Sequence, residues 1–287
     1  MKILLGILTL ALTFNAFANN KVIYGDDNRT EVINASSKYR QLARSTAAMV
    51  PESKLNYSDL SERFNLDTSE TLEGRGICSN ERFAQQPTVA LCSGFLIAED
   101  VLVTAGHCIK DMTDCTRNKW VFDYKITNGN DVNTEINKDN VYSCKSILAQ
   151  KLENNGQDYA VIKLDRAVYG REPLKFRRDS KVTAGTSILV IGHPSGLPTK
   201  IADDANIREI SENGYFVTNL DTYGGNSGSA VINKSTGEVE GILVRGEKDY
   251  EYNYQAGCAQ SNRCSNSGCR GEDVTTITSI GFIQNNF

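Results

Sequence analysis

The sequence predicts an all-β protein. Short runs of β-branched and aromatic residues recur along the chain, and glycine or Asn/Asp turns separate many of them. This pattern is typical of antiparallel barrels rather than of βαβ units. The 287 residues are 40% hydrophobic, which is enough for a sizeable core. The predicted strands are Cys92–Leu96, Val101–Thr104, Trp120–Ile126, Tyr159–Leu164, Thr186–Ile191, Tyr215–Leu220, Ala230–Ile232 and Val239–Val244.

The N-terminal residues have the features of an export signal. Lys2 precedes an apolar run, Ile3–Phe17, that ends in a small-x-small sequence at residues 16–18. The run is too short to span a membrane. We therefore predict a signal peptide over residues 1–18 and a secreted or periplasmic protein. Its removal deletes Lys2 and changes the formal charge from −4 to −5, which argues against nucleic acid or an anionic membrane as a partner.

Three further segments follow from composition. A helix over Ser37–Val50 is compatible with the residues present. Residues 52–86 are polar and charged, and we expect them to form a long surface excursion. Residues 277–285 are expected to form a short closing helix.

The cysteine count fits an oxidising compartment. An even number of cysteines in an exported chain suits four disulfide bonds. A metal site is not expected, because the last three cysteines lack a CxxC pair and have no histidine nearby. The eight cysteines are Cys78, Cys92, Cys108, Cys115, Cys144, Cys258, Cys264 and Cys269.

One stretch, Asp221–Ser229, has the composition of a nucleophile loop. Two glycines before Ser227 and one after it allow a tight turn, in which backbone N–H groups can converge on a carbonyl oxygen. Similar Gly/Ser/Asn clusters also form ordinary exposed turns. Whether the stretch is a nucleophile loop therefore depends on motifs elsewhere in the chain.

Two upstream motifs supply the groups that a catalytic serine needs. An apolar run delivers His107 beside a cysteine, and Asp158 enters an alternating strand. The order His–Asp–Ser excludes an α/β-hydrolase, because both histidines, His107 and His193, precede Ser227. A subtilisin order stays open but would need Asp100, which is too close to His107 to look like a separate strand end.

These motifs resemble those of trypsin/chymotrypsin-like serine peptidases, nearest the bacterial glutamyl-endopeptidase branch. They are Thr104–Cys108, Asp158–Leu164 and Gly224–Ser229. The resemblance runs from about Val22 to the C-terminus and is thin between about residues 51 and 87. It implies one peptidase domain over residues 22–287, built from two six-stranded antiparallel barrels with a boundary near residues 170–185. The active site would lie between the barrels, and a short helix would end the chain.

The resemblance also implies the roles of the site residues. Ser227 would be the nucleophile, His107 the general base and Asp158 the residue that orients the histidine. The backbone N–H groups of Gly225 and Ser227 would form the oxyanion hole. Protein or peptide substrates, no cofactor and a monomeric state are expected. A protease-like binding protein and a serine esterase remain as alternatives, whereas His193 is expected to serve loop structure.

The resemblance also suggests two disulfide bonds and the first strand. Cys92 and Cys108 bracket the histidine strand at the spacing at which a bridge, in that family, holds the loop of the catalytic histidine. Cys115 with Cys144 is our second expectation, because both should lie in the first barrel. The six cysteines other than Cys92 and Cys108 allow fifteen pairings. By the same resemblance, Leu42–Val50 is predicted to be the first strand.

Substrate preference is predicted from five residues. Asp221 lies where trypsin-like enzymes place the carboxylate that binds a basic side chain, which favours cleavage after Arg or Lys. Thr222 instead matches glutamyl endopeptidases, but their pocket histidine would fall near Leu243. Val244 and Arg245 complete the predicted pocket, and Arg245 would attract an acidic residue or neutralise Asp221.

The segment after the signal is similar to the start of mature glutamyl endopeptidases. Cleavage after Lys21 would create a Val22–Ile23 end, with residues 19–21 as a short propeptide. In trypsin-like relatives the new ammonium group pairs with an aspartate just before the nucleophile. Here that position is Asn226, a neutral amide, so we predict that activity does not depend on a trypsin-style switch and depends at most on the trimming of residues 19–21.

Overall fold

The computed structural model describes residues 22–179 and 181–287. The predicted signal peptide and residues 19–21 lie outside the described residues. The elements of the first part of the described chain are β1 Ile23–Tyr24, β2 Thr30–Glu31, α1 Ser37–Ala43, β3 Thr46–Pro51, β4 Leu55–Ser58 and β5 Arg63–Leu66. This part contacts the second barrel through β2 and supplies one strand, β3, of the first barrel.

The segment predicted as either a helix or a strand contains both. The side chain of Ser36 accepts a hydrogen bond from the amide of Tyr39 and caps α1. The chain turns after α1, and the strand begins at Thr46, not at the predicted Leu42. The predicted helix and the predicted strand are therefore both partly right, because this stretch forms a capped helix and then a barrel strand.

Six strands form the first closed barrel. Their order around the barrel is β12-β13-β7-β6-β3-β8, and every pairing is antiparallel. The predicted strand Trp120–Ile126 is interrupted after Phe122, because Asp123 takes a positive φ of 63°. The elements of this part are β6 Cys92–Ala98, β7 Val101–Thr104, α2 Met112–Arg117, β8 Asn118–Phe122, β9 Ile126–Asn128, β10 Asp131–Val132, β11 Glu135–Asn137, β12 Val141–Leu152 and β13 Asp158–Leu164.

The second barrel is also antiparallel. Its six strands follow the order β14-β17-β18-β22-β16-β15, and the pairing of β14 with β15 closes it. Strand β2 adds to the edge of β15. The elements are β14 Ser187–Gly192, β15 Lys200–Ile210, β16 Tyr215–Thr218, β17 Ala230–Asn233, β18 Val239–Arg245, β19 Tyr250–Asn253, β20 Cys258–Ser261, β21 Arg263–Cys264, β22 Glu272–Thr276 and α3 Gly281–Asn286. The predicted fold class and the short closing helix are thus confirmed.

Hydrophobic residues fill both barrels and the space between them. Trp120 and Phe95 are fully buried in the first barrel, and Phe216 and Val274 are fully buried in the second. The core of the first barrel continues onto the strands β14, β17 and β18 of the second. The two barrels therefore share an apolar contact.

The predicted excursion over residues 52–86 has structure of its own. Strand β5 pairs with β4 and with β11, and a short 3-10 helix follows at Glu73–Arg75. Further 3-10 turns lie at Val32–Asn34, Glu52–Lys54, Lys138–Asn140, Pro194–Gly196 and Ile277–Ser279.

Four disulfide bonds join cysteines of the described chain. Two of them, Cys92–Cys108 and Cys115–Cys144, are the pairs that the sequence analysis expected. The pairings that the sequence left open are Cys78–Cys258 and Cys264–Cys269. The first of these connects the excursion to the hairpin of β19 and β20. In the part of the chain that the structure describes, no helix is both long and apolar enough to cross a membrane.

Candidate active site

Strand pairing brings His107 and Asp158 together. Strands β7 and β13 are antiparallel neighbours, with Thr104 opposite Ala160, so the residues just beyond this pair meet at the end of the ladder. Nδ1 of His107 lies 2.8 Å from Oδ2 of Asp158, and the backbone N–H of His107 donates to Oδ1 at 3.0 Å. The carboxylate accepts from both groups, which places the ring proton on Nδ1 and leaves Nε2 as the basic nitrogen.

The two side chains differ in exposure. The side chain of Asp158 is only 3% exposed, whereas that of His107 is 32% exposed. The backbone of Asp158 is also held from the second barrel, because its N–H and C=O both bond to the hydroxyl of Thr275, at 3.1 and 3.0 Å. Gly106 is needed beside the histidine, since a Cβ there would lie 2.1 Å from the carbonyl oxygen of Lys151.

The Ser227 loop packs against the chain that carries His107. The carbonyl oxygen of Ser227 accepts a hydrogen bond from the N–H of Ser93 at 2.8 Å and lies 3.8 Å from Sγ of Cys108. Cys108 directly follows His107 in the chain. Because Ser227 contacts Cys108, its loop lies next to the histidine.

Two glycines give the loop its shape. Gly225 and Gly228 both have φ of +89°, a left-handed conformation that favours glycine. A Cβ on Gly228 would lie 2.1 Å from the carbonyl oxygen of Ser93. Asn226 is buried, and its N–H donates to the carbonyl of Tyr223 at 3.0 Å. The turn is thus set by backbone geometry on both sides of Ser227.

A cavity of about 760 Å³ opens beside the histidine and runs along the second barrel. Of the residues predicted to bind substrate, Val244 and Arg245 line it, together with His107 and Asp158. Arg245 is held in place, because its Nε donates to Asp273 at 3.0 Å and its Nη2 donates to the carbonyl of Gly156 at 2.7 Å.

Asp221 lies away from this cavity, inside the protein. Its two carboxylate oxygens accept hydrogen bonds from the backbone N–H groups of Tyr24 and Asn28, at 2.7 and 3.0 Å. Burial raises the pKa of this carboxyl to about 6, although the two amide bonds act in the opposite direction. The carboxylate is therefore used to hold the N-terminal segment of the described chain.

Thr222 and Leu243 are also buried. Leu243 belongs to the core of the second barrel. The hydroxyl of Thr222 donates to Oε2 of Glu272 at 2.5 Å, and its N–H donates to the carbonyl of Val22 at 3.3 Å. Glu272 is fully buried as well, and the hydroxyl of Tyr24 donates to its other oxygen at 3.3 Å.

Sequence reasoning did not find Glu272. Its carboxylate lies directly behind Gly246, since a Cβ on that glycine would be 2.0 Å from Oε2. Gly246 lines the cavity beside His107. Two adjacent acidic residues at the start of β22, Glu272 and Asp273, were the available signal, but only the pairing of β18 with β22 places Glu272 behind Gly246.

His193 is buried and stacks on Tyr124, with ring centroids 5.7 Å apart. Its Nδ1 lies 3.0 Å from the carbonyl oxygen of Leu197. Burial lowers its pKa to about 3, and the nearby ammonium of Lys200 adds to this effect. The ring is therefore neutral at ordinary pH.

One group of three residues in the described chain has the spacing of metal ligands. It consists of Cys92, His107 and Cys108, whose ligand atoms lie within 4.8 Å of one another. Both sulfur atoms are joined in a disulfide bond, so neither is a thiolate. The short distances reflect how close the disulfide lies to the histidine.

A two-barrel fold with a histidine–aspartate pair beside a glycine-flanked serine defines the class of trypsin-like serine peptidases. The family model of the trypsin-like peptidase domain matches residues 92–242, which is more than half of the chain. The protein belongs to this family and is a serine endopeptidase.

Solved structures give a likeness in fold. A structure described as a Glu endopeptidase in complex with MPD matches with a TM-score of 0.53 and 17% identity, over 91% of this chain and 97% of that one. A serine endoprotease from Yersinia pestis matches with a TM-score of 0.48 and 14% identity, over 83% of this chain and 61% of that one. At these identities the first likeness bears on the fold alone. A search of curated protein sequences found no match.

Proposed function

We propose that the protein is an exported serine endopeptidase that hydrolyses proteins through His107, Asp158 and Ser227. The observation that carries the proposal is the double hydrogen bond between buried Asp158 and His107, next to the loop of Ser227. Four disulfide bonds support export to an oxidising compartment.

The mechanism follows from these roles. Nε2 of His107 takes the proton of the Ser227 hydroxyl as Oγ attacks the substrate carbonyl carbon. Asp158 holds the ring by Nδ1 and stabilises the imidazolium that forms. The N–H groups of Gly225 and Ser227 bind the oxyanion, and each such donor is typically worth about 3–4 kcal/mol in the transition state.

The reaction is then completed in two stages, acylation of Ser227 and hydrolysis of the acyl ester. His107 returns the proton to the leaving amine, the C–N bond breaks and an acyl ester remains on Ser227. A water molecule, deprotonated by His107, attacks the ester, and Ser227 recovers its proton as the acid product leaves. The alternative of a catalytically silent binding protein is disfavoured, because such relatives usually lose a member of the triad and all three residue types are present here.

For specificity, we propose cleavage after Arg or Lys, with Glu272 in the role that the sequence assigned to Asp221. The carboxylate of Asp221 is taken up by two backbone amides. The carboxylate of Glu272 also accepts hydrogen bonds, from Thr222, Tyr24 and the N–H of Glu247, but it differs from Asp221 in lying directly behind Gly246, which lines the cavity. A buried carboxylate there would attract a basic side chain by charge complementarity. An acidic preference is less favoured, since Arg245 is already bound to Asp273.

A peptide library digested by the mature protein tests both the proposed hydrolysis and the proposed specificity. Cleavage after Arg and Lys is expected, and the Glu272→Gln variant should lose most of that preference while still cleaving. Asp221→Asn is the matched control, expected to keep the preference. Cleavage after Glu or Asp by the wild type would overturn the specificity proposal, and a library left intact would contradict hydrolysis through His107, Asp158 and Ser227.

A further inference from the structure

The turn Pro194–Gly196 holds the peptide group that contains the N–H of Gly225. The backbone N–H of Ser195 donates to the carbonyl oxygen of Gly224 at 2.5 Å. That carbonyl and the N–H of Gly225 belong to one peptide group, and none of the described peptide bonds is cis. In a trans peptide the C=O and the N–H point in opposite directions. The bond to Ser195 therefore sets the direction of the Gly225 N–H.

A second contact fixes the next peptide. The hydroxyl of Ser93 donates to the carbonyl oxygen of Gly225 at 2.8 Å and accepts from the N–H of His193 at 2.9 Å. The packing is close, since a Cβ on Gly225 would lie 2.4 Å from the carbonyl oxygen of His193. Both carbonyls that flank the Gly225 N–H are thus tied to the segment 193–195.

Ser195 is itself held in an unusual conformation. It has φ of 54° and ψ of 18°, in the left-handed region that few side-chain-bearing residues adopt, and it is 6% exposed. Its hydroxyl lies 2.6 Å from the hydroxyl of Tyr250, and its carbonyl oxygen accepts from Nη1 of Arg75 at 2.9 Å. Both contacts come from outside the second barrel.

These two contacting residues are connected to each other. Arg75 lies in the excursion, and Gly76 beside it accepts a hydrogen bond from the N–H of Ala259 at 2.9 Å. Ala259 is in β20, which pairs with the strand of Tyr250. The disulfide Cys78–Cys258 closes the same junction. The excursion and the hairpin therefore form one support behind Ser195.

We propose that Ser195 is a positioning residue for the oxyanion hole and that Tyr250 and Arg75 keep it in place. The inference rests on the proposed function, in which Gly225 N–H binds the oxyanion. It assigns a task to the long excursion: to hold Ser195 in the left-handed conformation that orients this N–H.

The test uses Ser195→Ala and Tyr250→Phe in the full-length protein after processing. We expect kcat to fall about tenfold in both, with KM unchanged, because the lost alignment acts on the transition state and not on the bound substrate. The affinity for a peptide aldehyde, whose hemiacetal oxygen occupies the oxyanion hole, should fall by the same factor. Tyr254→Phe is the control, since this tyrosine is in the same hairpin region and 89% exposed.

The outcomes separate the inference from the function on which it rests. An active wild type with unchanged kcat and aldehyde affinity in both variants would overturn the inference alone. A loss of thermal stability without the kcat and aldehyde effects would also overturn it, since it would show a purely structural role. An inactive wild type would overturn the proposed function and the inference together. If Ser195→Ala does not fold, Ser195→Gly suits the positive φ and replaces it.

Discussion

Burial of His193 as a neutral ring predicts a specific pH dependence of stability. The pKa of His193 is about 3 in the folded protein, against about 6.5 for an ordinary histidine. Between these values the unfolded chain binds a proton that the folded chain does not. The contribution of His193 to the free energy of unfolding is therefore fully present above pH 6.5 and is lost as the pH falls towards 3.

The size of the effect follows from the two pKa values. A difference of about 3.5 pKa units corresponds to about 5 kcal/mol when the whole window is crossed, and to about 2 kcal/mol at pH 5. His193→Asn retains a donor for the carbonyl of Leu197 but does not titrate. It should be less stable than the wild type at pH 7.5, because the stacking on Tyr124 is lost.

The assay is urea unfolding of both proteins at pH 7.5 and pH 5. The difference in unfolding free energy between wild type and His193→Asn should shrink by about 2 kcal/mol between the two pH values. A parallel measurement by NMR is simple, because the chain has only two histidines. The His193 ring should not titrate between pH 4 and 8. Equal pH dependence in the two proteins, or a ring that titrates near pH 6.5, would refute the reasoning.

Two further predictions concern the catalytic residues and their loop. Asp158→Asn should keep the fold but lower kcat for peptide hydrolysis by about 10⁴, the typical cost of replacing the aspartate of such a triad. The reason is that the ring of His107 would lose its orienting carboxylate. A loss of less than about tenfold would contradict this role. Gly228→Ala should abolish activity, since its Cβ would lie 2.1 Å from the carbonyl oxygen of Ser93. The control is Gly129→Ala, which should retain full activity, because Gly129 has a φ of +55° but open space around it. Equal activities of the two variants in a hydrolysis assay would contradict the packing argument.

Much of the fold was predictable because its signals are local. Alternating apolar runs such as Tyr159–Leu164 define their own strands, and the order of His107, Asp158 and Ser227 excludes an α/β-hydrolase. The positions of Gly225 and Gly228 beside the serine also indicated a tight loop, which their positive φ angles confirm.

The contacts that the sequence did not predict join residues far apart in the chain. Asp221 looked like a substrate-binding carboxylate because of its distance from Ser227, yet its partners are amides of Tyr24 and Asn28, which lie 197 and 193 residues upstream. The position of Glu272 behind Gly246 depends on the register of β18 against β22. Such contacts are set by the packing of whole elements, and no spacing in the sequence encodes them.

The most direct test of the proposed mechanism is labelling of the mature protein with a fluorophosphonate probe, which reacts with an activated serine. We expect one adduct per molecule, located by mass spectrometry on Ser227, and no adduct in Ser227→Ala. Ser235→Ala, a change in the turn after β17, should label like the wild type. A folded wild-type protein that does not react, or an adduct on another serine, would contradict the central claim.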